Sequence, residues 1–207
     1  MNPNKSGNLK LGSNVVEILL PHRRPFLMVD FVQTFLSGPP PIVEAGRHIT
    51  ANDPIFAGHF PGLHLWPGAF TIEGLGQTSV LLLAILQLQR AAEAEGNDPG
   101  TALNELRNLD LGFRLQPGYR PDESLELVRK VRSARSQIAI GTSVQMKFMH
   151  PVFAGQQLDY RVMLTGLHDA GMRFDAEARV EGVVVASGIM MGAAVSRPIL
   201  GREGEPG

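Results

Sequence analysis

The chain is predicted to fold as an α+β domain in which an antiparallel sheet wraps one buried helix. Residues 68–90 support a single long helix, and its middle is apolar on nearly every face. Such a helix is enclosed by other structure, because a solvated face would carry charges. Six segments with strand character flank it, two before and four after, with turns between them. Strands that follow one another in this way favour an antiparallel sheet around the helix.

The elements before the central helix are short. Residues 15–20 form an apolar helical turn that Pro21 ends, and a basic connector over residues 22–25 follows. Residues 26–35, rich in Phe, Leu and Val, are expected to form the first strand, and residues 42–49 the second.

Residues 91–135 are interpreted as an insertion after the central helix, with a short helix over 102–109. The first 14 residues are polar and residues 198–207 are rich in Gly and Glu, so both ends are expected to be flexible tails. One domain over 15–197 remains. Its late strands are expected over residues 137–148, 157–167, 173–180 and 183–195.

Composition excludes several classes of function. The formal net charge of −1 over 207 residues gives no global attraction to nucleic acid or to a membrane surface. The absence of cysteine excludes disulfides, a thiol nucleophile and thiolate metal sites, and it fits a reducing compartment. The longest aliphatic run, residues 80–86, is far shorter than the roughly 20 residues that span a bilayer. We expect a cytoplasmic protein without a secretory signal.

A candidate active site lies at the junction of a loop and the central helix. His59 and Glu73 are fourteen positions apart in the stretch from Gly58 to Gln77. The prolines and glycines at 61–68 prevent regular structure there, and a helical pattern follows. A loop histidine and a helix carboxylate can then face one substrate.

Other motifs in this stretch are weaker evidence for a function. His64 and His59 would suggest a metal site, but no third ligand stands at a suitable spacing, so none is expected. Gly74-Leu75-Gly76 is not a dinucleotide fingerprint, because no strand precedes it and the last glycine is missing. Each of these two glycines costs about 1 kcal/mol relative to alanine inside a helix, which indicates close packing or a partner surface.

Three stretches, in the same order and at similar spacing, resemble the FabZ-type β-hydroxyacyl-acyl-carrier-protein dehydratases. The resemblance covers about 15–90 and 136–195. The stretches are Leu-Pro-His-Arg-Arg-Pro-Phe-Leu-Met-Val-Asp at 20–30, Gly-His-Phe-Pro-Gly through Glu and Gln at 58–77, and Phe-Met-His-Pro-Val-Phe-Ala-Gly-Gln-Gln-Leu at 148–158.

This resemblance implies a hotdog fold and a dimer whose two sheets join, with each active site between protomers. It implies that His59 comes from one chain and Glu73 from the other. It also implies an acyl carrier protein as partner, a substrate carried on its phosphopantetheine, and no cofactor or metal. The assembly would be a homodimer, a higher oligomer of dimers or a hotdog heterodimer, in fatty-acid-like or specialised lipid or polyketide biosynthesis.

Dehydration of a β-hydroxyacyl thioester needs a base at the α-carbon, an acid at the hydroxyl and donors for the thioester oxygen. The resemblance assigns His59 to the α-carbon, which suits an imidazole, and Glu73 to the hydroxyl. The N–H of Gly68, at the helix start, is expected to meet the oxygen. Gln77, one turn beyond Glu73, either orients that carboxylate or satisfies nearby backbone.

Aromatic and basic side chains complete the prediction. Phe60, Trp66 and Phe70 are expected to line the acyl site, or else to be ordinary core. Arg23, Arg24 and the basic residues at 129–135 either recognise an acidic carrier or its phosphate, or form solvated surface.

Some residues depart from the usual family pattern. Arg24 replaces a common aromatic residue, Trp66 stands where a smaller side chain is usual, and glycines follow Glu73 in place of alanines. With the 91–135 insertion, as a lid or a partner surface, these differences suggest a specialised acyl substrate. Two rival functions stay open: a hotdog thioesterase in which His59 and Glu73 activate water, and a non-catalytic subunit of a heterodimeric dehydratase.

Overall fold

The computed structural model describes residues 7–121, 126–134, 137–168 and 171–196. The helices are Ser13–Leu19 (α1), Gly68–Ala94 (α2), Gly100–Leu115 (α3) and Glu126–Ala134 (α4), with a 3-10 helix at Pro54–Ala57. The strands are Asn8–Leu11 (β1), Phe31–Leu36 (β2), Ile42–His48 (β3), Gln137–Phe148 (β4), Gln157–His168 (β5), Gly171–Val180 (β6) and Val183–Ser196 (β7).

The strands form one sheet in the order β1-β2-β3-β5-β6-β7-β4, and every neighbouring pair is antiparallel. Helix α2 packs against β3, β4, β5 and β6, so the sheet curls around it. The core lies between the two, and it includes Leu75, Leu82 and Ile85 of the helix and Val162 and Phe174 of the sheet. This arrangement confirms the predicted α+β hotdog fold.

Helix α2 is the central element of the domain. Pro67 caps its start with φ −63°, and the helix ends before Gly96, whose φ of +80° is easily adopted by glycine. By length and composition α2 is apolar enough to cross a membrane, but 56% of its most apolar window is buried inside the domain. This burial is typical of the core helix of a folded domain.

Close packing explains the glycine at position 74. A Cβ built on Gly74 would overlap Cζ and Oη of Tyr160 and would lie 2.9 Å from Cε2. Tyr160 is fully buried on β5, so its ring occupies the volume that an alanine methyl would need. At Gly76 a Cβ would meet Met190 Cε at an ordinary 3.5 Å. The prediction of close packing is therefore confirmed at Gly74.

The insertion is helical and packs on the start of the domain. Helix α3 contacts α1, α2 and β1, and it is longer than the predicted 102–109 helix. The buried Asp110 carboxylate accepts the Gly12 N–H at 2.7 Å, which caps the start of α1, and it also pairs with Arg114. Lys130 of α4 pairs with Glu95 at 2.6 Å, just beyond the end of α2.

Near the start of the chain the structure differs from two of the sequence predictions. The strand expected over 26–35 begins only at Phe31, because the chain turns before it: the Leu27 N–H donates to the Arg23 carbonyl at 2.9 Å. The expected tail over 1–14 is wrong for its described part, since β1 pairs with β2 and buries Leu9 and Leu11. The tail expected over 198–207 lies outside the described residues.

Candidate active site

The loop that carries His59 is anchored on the segment after β4. The Trp66 N–H donates to the Val152 carbonyl at 2.8 Å. The Nδ1 atom of His59 lies 2.9 Å from the carbonyl oxygen of Leu65. Because a carbonyl oxygen can only accept, Nδ1 carries the hydrogen of the neutral ring, and Nε2 keeps its lone pair. His59 is thereby oriented with Nε2 as the basic atom.

His59 and the start of α2 line one pocket of ≈ 420 Å³, which we call the His59 pocket. As the first residue of α2, Gly68 has an N–H without an intrahelical partner, at the positive end of the helix dipole. A Cβ at position 68 would lie 2.9 Å from Cε1 of Phe148, so glycine lets that ring lie over the helix start. The pocket thus brings together an imidazole and the first backbone N–H of a helix, two groups that can serve as a base and as a donor to an oxyanion.

Trp66 is held rigidly just before this helix start. It is 4% exposed and lines the His59 pocket, and the Arg47 guanidinium lies 4.9 Å from its ring centroid. Arg47 is itself buried, pairs with Asp53 and donates to the Leu27 carbonyl at 2.7 Å. This cation–π contact in a desolvated setting fixes the indole plane against the loop.

The other two aromatic residues predicted to line the acyl site lie differently. The Phe60 ring stacks on His59 with 4.1 Å between centroids and is 47% exposed. Phe70 is half-buried and meets Trp66 edge-on at 5.4 Å. Phe60 therefore contacts His59 and Phe70 contacts Trp66, and neither is among the residues that line the His59 pocket.

Glu73 lines a second pocket of ≈ 360 Å³, the Glu73 pocket. Its Oε1 accepts a hydrogen bond from Gln77 Nε2 at 2.9 Å. The same Gln77 donates to the Phe26 carbonyl and accepts the Met28 N–H, both at 2.8 Å. Gln77 is 1% exposed, and these contacts engage both N–H bonds and the oxygen of its side-chain amide. It orients the carboxylate and satisfies backbone, which joins the two roles that the sequence left as alternatives.

One chain does not bring His59 and Glu73 into one pocket. Gly68 and Glu73 are five residues apart on α2, and five steps rotate a side chain by about 140° around the axis from its starting direction. The helix therefore presents the Gly68 end to the His59 pocket and Glu73 to the other pocket. His59 and Glu73 thus line two separate pockets of the described chain.

Sequence reasoning assigned no role to His22, Phe148 or His150. His22 lines the Glu73 pocket, and the other two line the His59 pocket. All three stand in the stretches that carry the family resemblance, which was the available signal. His64, considered as a metal ligand, instead stacks on Phe56 at 5.1 Å.

The basic residues of the N-terminal connector are occupied by contacts within the chain. Arg23 donates to the carbonyls of Leu20 and His22, and Arg24 pairs with Asp30 at 2.6 Å. In the insertion, Arg129 is exposed. No described residue of the insertion lines the His59 pocket or the Glu73 pocket, so its described part is not a lid over either.

The fold and the two pockets define a hotdog-fold protein with a histidine on a loop and a carboxylate on the central helix. A family model described as a FabA-like domain matches residues 20–106. A 3-hydroxyacyl-[acyl-carrier-protein] dehydratase FabZ of Thioalkalivibrio sulfidiphilus is 30% identical over 173 residues, which cover 83% of this chain and 89% of that protein. The chain therefore belongs to the FabZ dehydratase family.

Two further comparisons concern another sequence relative and a solved structure. The FabZ dehydratase of Myxococcus xanthus is 37% identical over 109 residues, which cover 53% of this chain and 64% of that relative, just under two thirds of its length. Among solved structures, the dehydratase heterocomplex ApeI:P from Xenorhabdus doucetiae is similar with a TM-score of 0.49 at 14% identity, covering 87% of this chain and 90% of that one.

Proposed function

We propose that the protein removes water from a 3-hydroxyacyl thioester and releases a trans-2-enoyl thioester. The observation that carries this proposal is the His59 pocket, which is lined both by His59, with its Nδ1 engaged by the Leu65 carbonyl, and by Gly68 at the start of α2. The proton α to a thioester carbonyl is weakly acidic, and a donor that stabilises the carbonyl oxygen lowers the barrier for its removal by such a base.

The proposed reaction uses each group once. His59 Nε2 takes the proton from the α-carbon, and the electron pair of that C–H bond forms the double bond. The bond between the β-carbon and its hydroxyl oxygen breaks while Glu73 gives that oxygen a proton, so water leaves. Gly68 N–H donates to the thioester oxygen, and one such donor is typically worth about 3 kcal/mol of barrier.

The separation of the His59 pocket from the Glu73 pocket supports an active site shared between two copies of the chain, with His59 from one and Glu73 from the other. Apolar side chains near the His59 pocket are exposed in the single chain: Phe60 (47%), Phe148 (48%), Met149 (37%) and Phe153 (38%). Clustered exposure of large apolar residues marks an interaction surface. A second protomer seated there would cover them and complete the site.

An acyl carrier protein is the proposed carrier of the substrate, with the thioester on its phosphopantetheine arm. The names of the FabZ relatives support this partner. No cofactor is assigned to the reaction, since base, acid and donor all come from the chain. A cytoplasmic location stays a prediction, as does the pathway that the product enters.

Mass spectrometry of a carrier-bound 3-hydroxyacyl substrate tests the reaction. His59→Ala and Glu73→Gln should each lower kcat/KM for loss of water by about 10²–10⁴-fold while the protein stays folded. Retained dehydration in either variant would remove that residue from the mechanism. Release of free acid from the carrier, with no loss of water, would instead support the thioesterase alternative.

A mixture of the two variants tests the shared site. After random re-association of His59→Ala with Glu73→Gln chains, half of the dimers are mixed, and each mixed dimer has one site with both groups intact. About a quarter of wild-type activity should therefore return. If both groups acted within one chain, every site would lack one of them and the mixture would stay inactive.

A further inference from the structure

A second histidine lies beside Glu73. The Nε2 atom of His22 is 3.8 Å from Glu73 Oε1, the same oxygen that accepts from Gln77. That distance is too long for a direct hydrogen bond and short enough for an ion pair or for a contact through one water. The Nδ1 atom of His22 is buried and has no hydrogen-bond partner in the described chain.

The surroundings of His22 contain few other charges. Arg23 is bonded to the carbonyls of Leu20 and His22, so its guanidinium stays near the ring. The ring of Phe26 lies 5.9 Å away. From the sheet, β4, β6 and β7 face the Glu73 pocket only with uncharged residues, among them Val144, Phe174 and Met190. Glu73 and Arg23 are therefore the charged groups with which His22 interacts.

We propose that His22 is a positioning residue that controls the charge state of Glu73. While the imidazole is neutral, the carboxyl can hold the proton that it gives to the hydroxyl. When the imidazole is protonated, it pairs with the carboxylate and holds Glu73 in the ionised form, which cannot act as an acid. This inference rests on the proposed dehydratase function.

The electrostatics of the ring agree with this role. Burial, aided by Arg23, lowers the pKa of His22, while Glu73 raises it. The ring is accordingly neutral at neutral pH, and Gln77 supplies the neutral hydrogen bond that orients the carboxylate. The site thus orients Glu73 without placing a permanent cation beside it.

Histidine NMR titration tests the coupling without any assay of activity. In Glu73→Gln the raising effect of the carboxylate is lost, so the pKa of His22 should be lower than in the wild type. The His64 resonance is the internal control, because its ring stacks on Phe56 and does not line the Glu73 pocket. An identical His22 titration in both proteins would overturn the proposal.

A matched pair of variants tests the catalytic consequence. His22→Met and His22→Lys have side chains of similar length and differ in charge. A permanent cation should favour the ionised Glu73, so His22→Lys should lose about tenfold more kcat for loss of water than His22→Met, most strongly at alkaline pH. A merely structural His22 would give equal losses and parallel pH profiles, which would overturn the proposal. If the wild type removes no water, the dehydratase function fails, and the NMR titration still decides the role of His22.

Discussion

Two glycines in one turn of α2 should respond oppositely to the same substitution. Gly74 faces the buried ring of Tyr160, whereas a methyl at Gly76 would meet only Met190 Cε at 3.5 Å. Replacing either glycine by alanine removes backbone freedom from the unfolded chain and raises helix propensity, worth about 1 kcal/mol. Only at position 74 does the new methyl overlap a neighbour.

The size of the difference follows from the packing. The Tyr160 ring is fully buried and has no solvent side to move toward, so the cost of overpacking should lie in the upper half of the typical range, at about 2–3 kcal/mol. Gly74→Ala should therefore lose about 1–2 kcal/mol net, and Gly76→Ala should gain about 1 kcal/mol. For a domain of this size the two melting temperatures should differ by roughly 5–10 °C.

Urea denaturation and thermal melts of both variants measure this difference. The double variant Gly74→Ala/Tyr160→Leu adds a control, because removing the ring should make the alanine favourable again relative to Tyr160→Leu alone. Equal stability of Gly74→Ala and Gly76→Ala would refute the packing explanation. A Gly74→Ala penalty that persists without the Tyr160 ring would refute it as well.

Three other substitutions have defined outcomes. Gln77→Ala removes three hydrogen bonds and leaves the buried Met28 N–H unpaired, so urea denaturation should show a loss of about 2–4 kcal/mol. Burial lowers the pKa of His22 below 6.5 in the folded protein, so the unfolded chain binds more protons in acid. The contribution of His22 to the free energy of unfolding is therefore fully present above pH 6.5 and is lost as the pH falls through the pKa of the folded state. The melting temperature should accordingly fall less in His22→Gln than in the wild type between about pH 7 and about pH 5. Asp110→Ala removes the cap on Gly12 and should cost about 1–2 kcal/mol, with faster hydrogen exchange in α1.

The long elements could be predicted because their patterns are local. The strand at residues 137–148 was predicted to the residue, and α2 was predicted from its continuous apolar face, four residues short of its end. The first strand was placed five residues too early for a different reason. Leu27 and Met28 are as apolar and as buried as strand residues, but a turn and the Gln77 side chain satisfy their N–H groups.

The candidate site was predictable in its parts and not in its arrangement. Motif resemblance selected His59, Glu73 and Gly68, and the structure places His59 and Gly68 in one pocket. Glu73 lies in another pocket because of the direction in which α2 points its side chain. Sequence spacing across an irregular loop does not give that direction. His22 was missed because its proximity to Glu73 is a contact between residues 51 positions apart in sequence.

The contact between α3 of the insertion and strand β1 limits which edge of the sheet can pair with another strand. Strand edges recruit further strands, but β1 has only four residues, and Arg107 of α3 already occupies the Asn8 carbonyl at 2.9 Å. At the far edge, β4 offers twelve residues that pair with β7 on one side alone within the described chain. A sheet with one usable edge can join a second copy once and then has no edge left. Pairing through β4 would therefore close as a two-fold pair and could not propagate into a fibre.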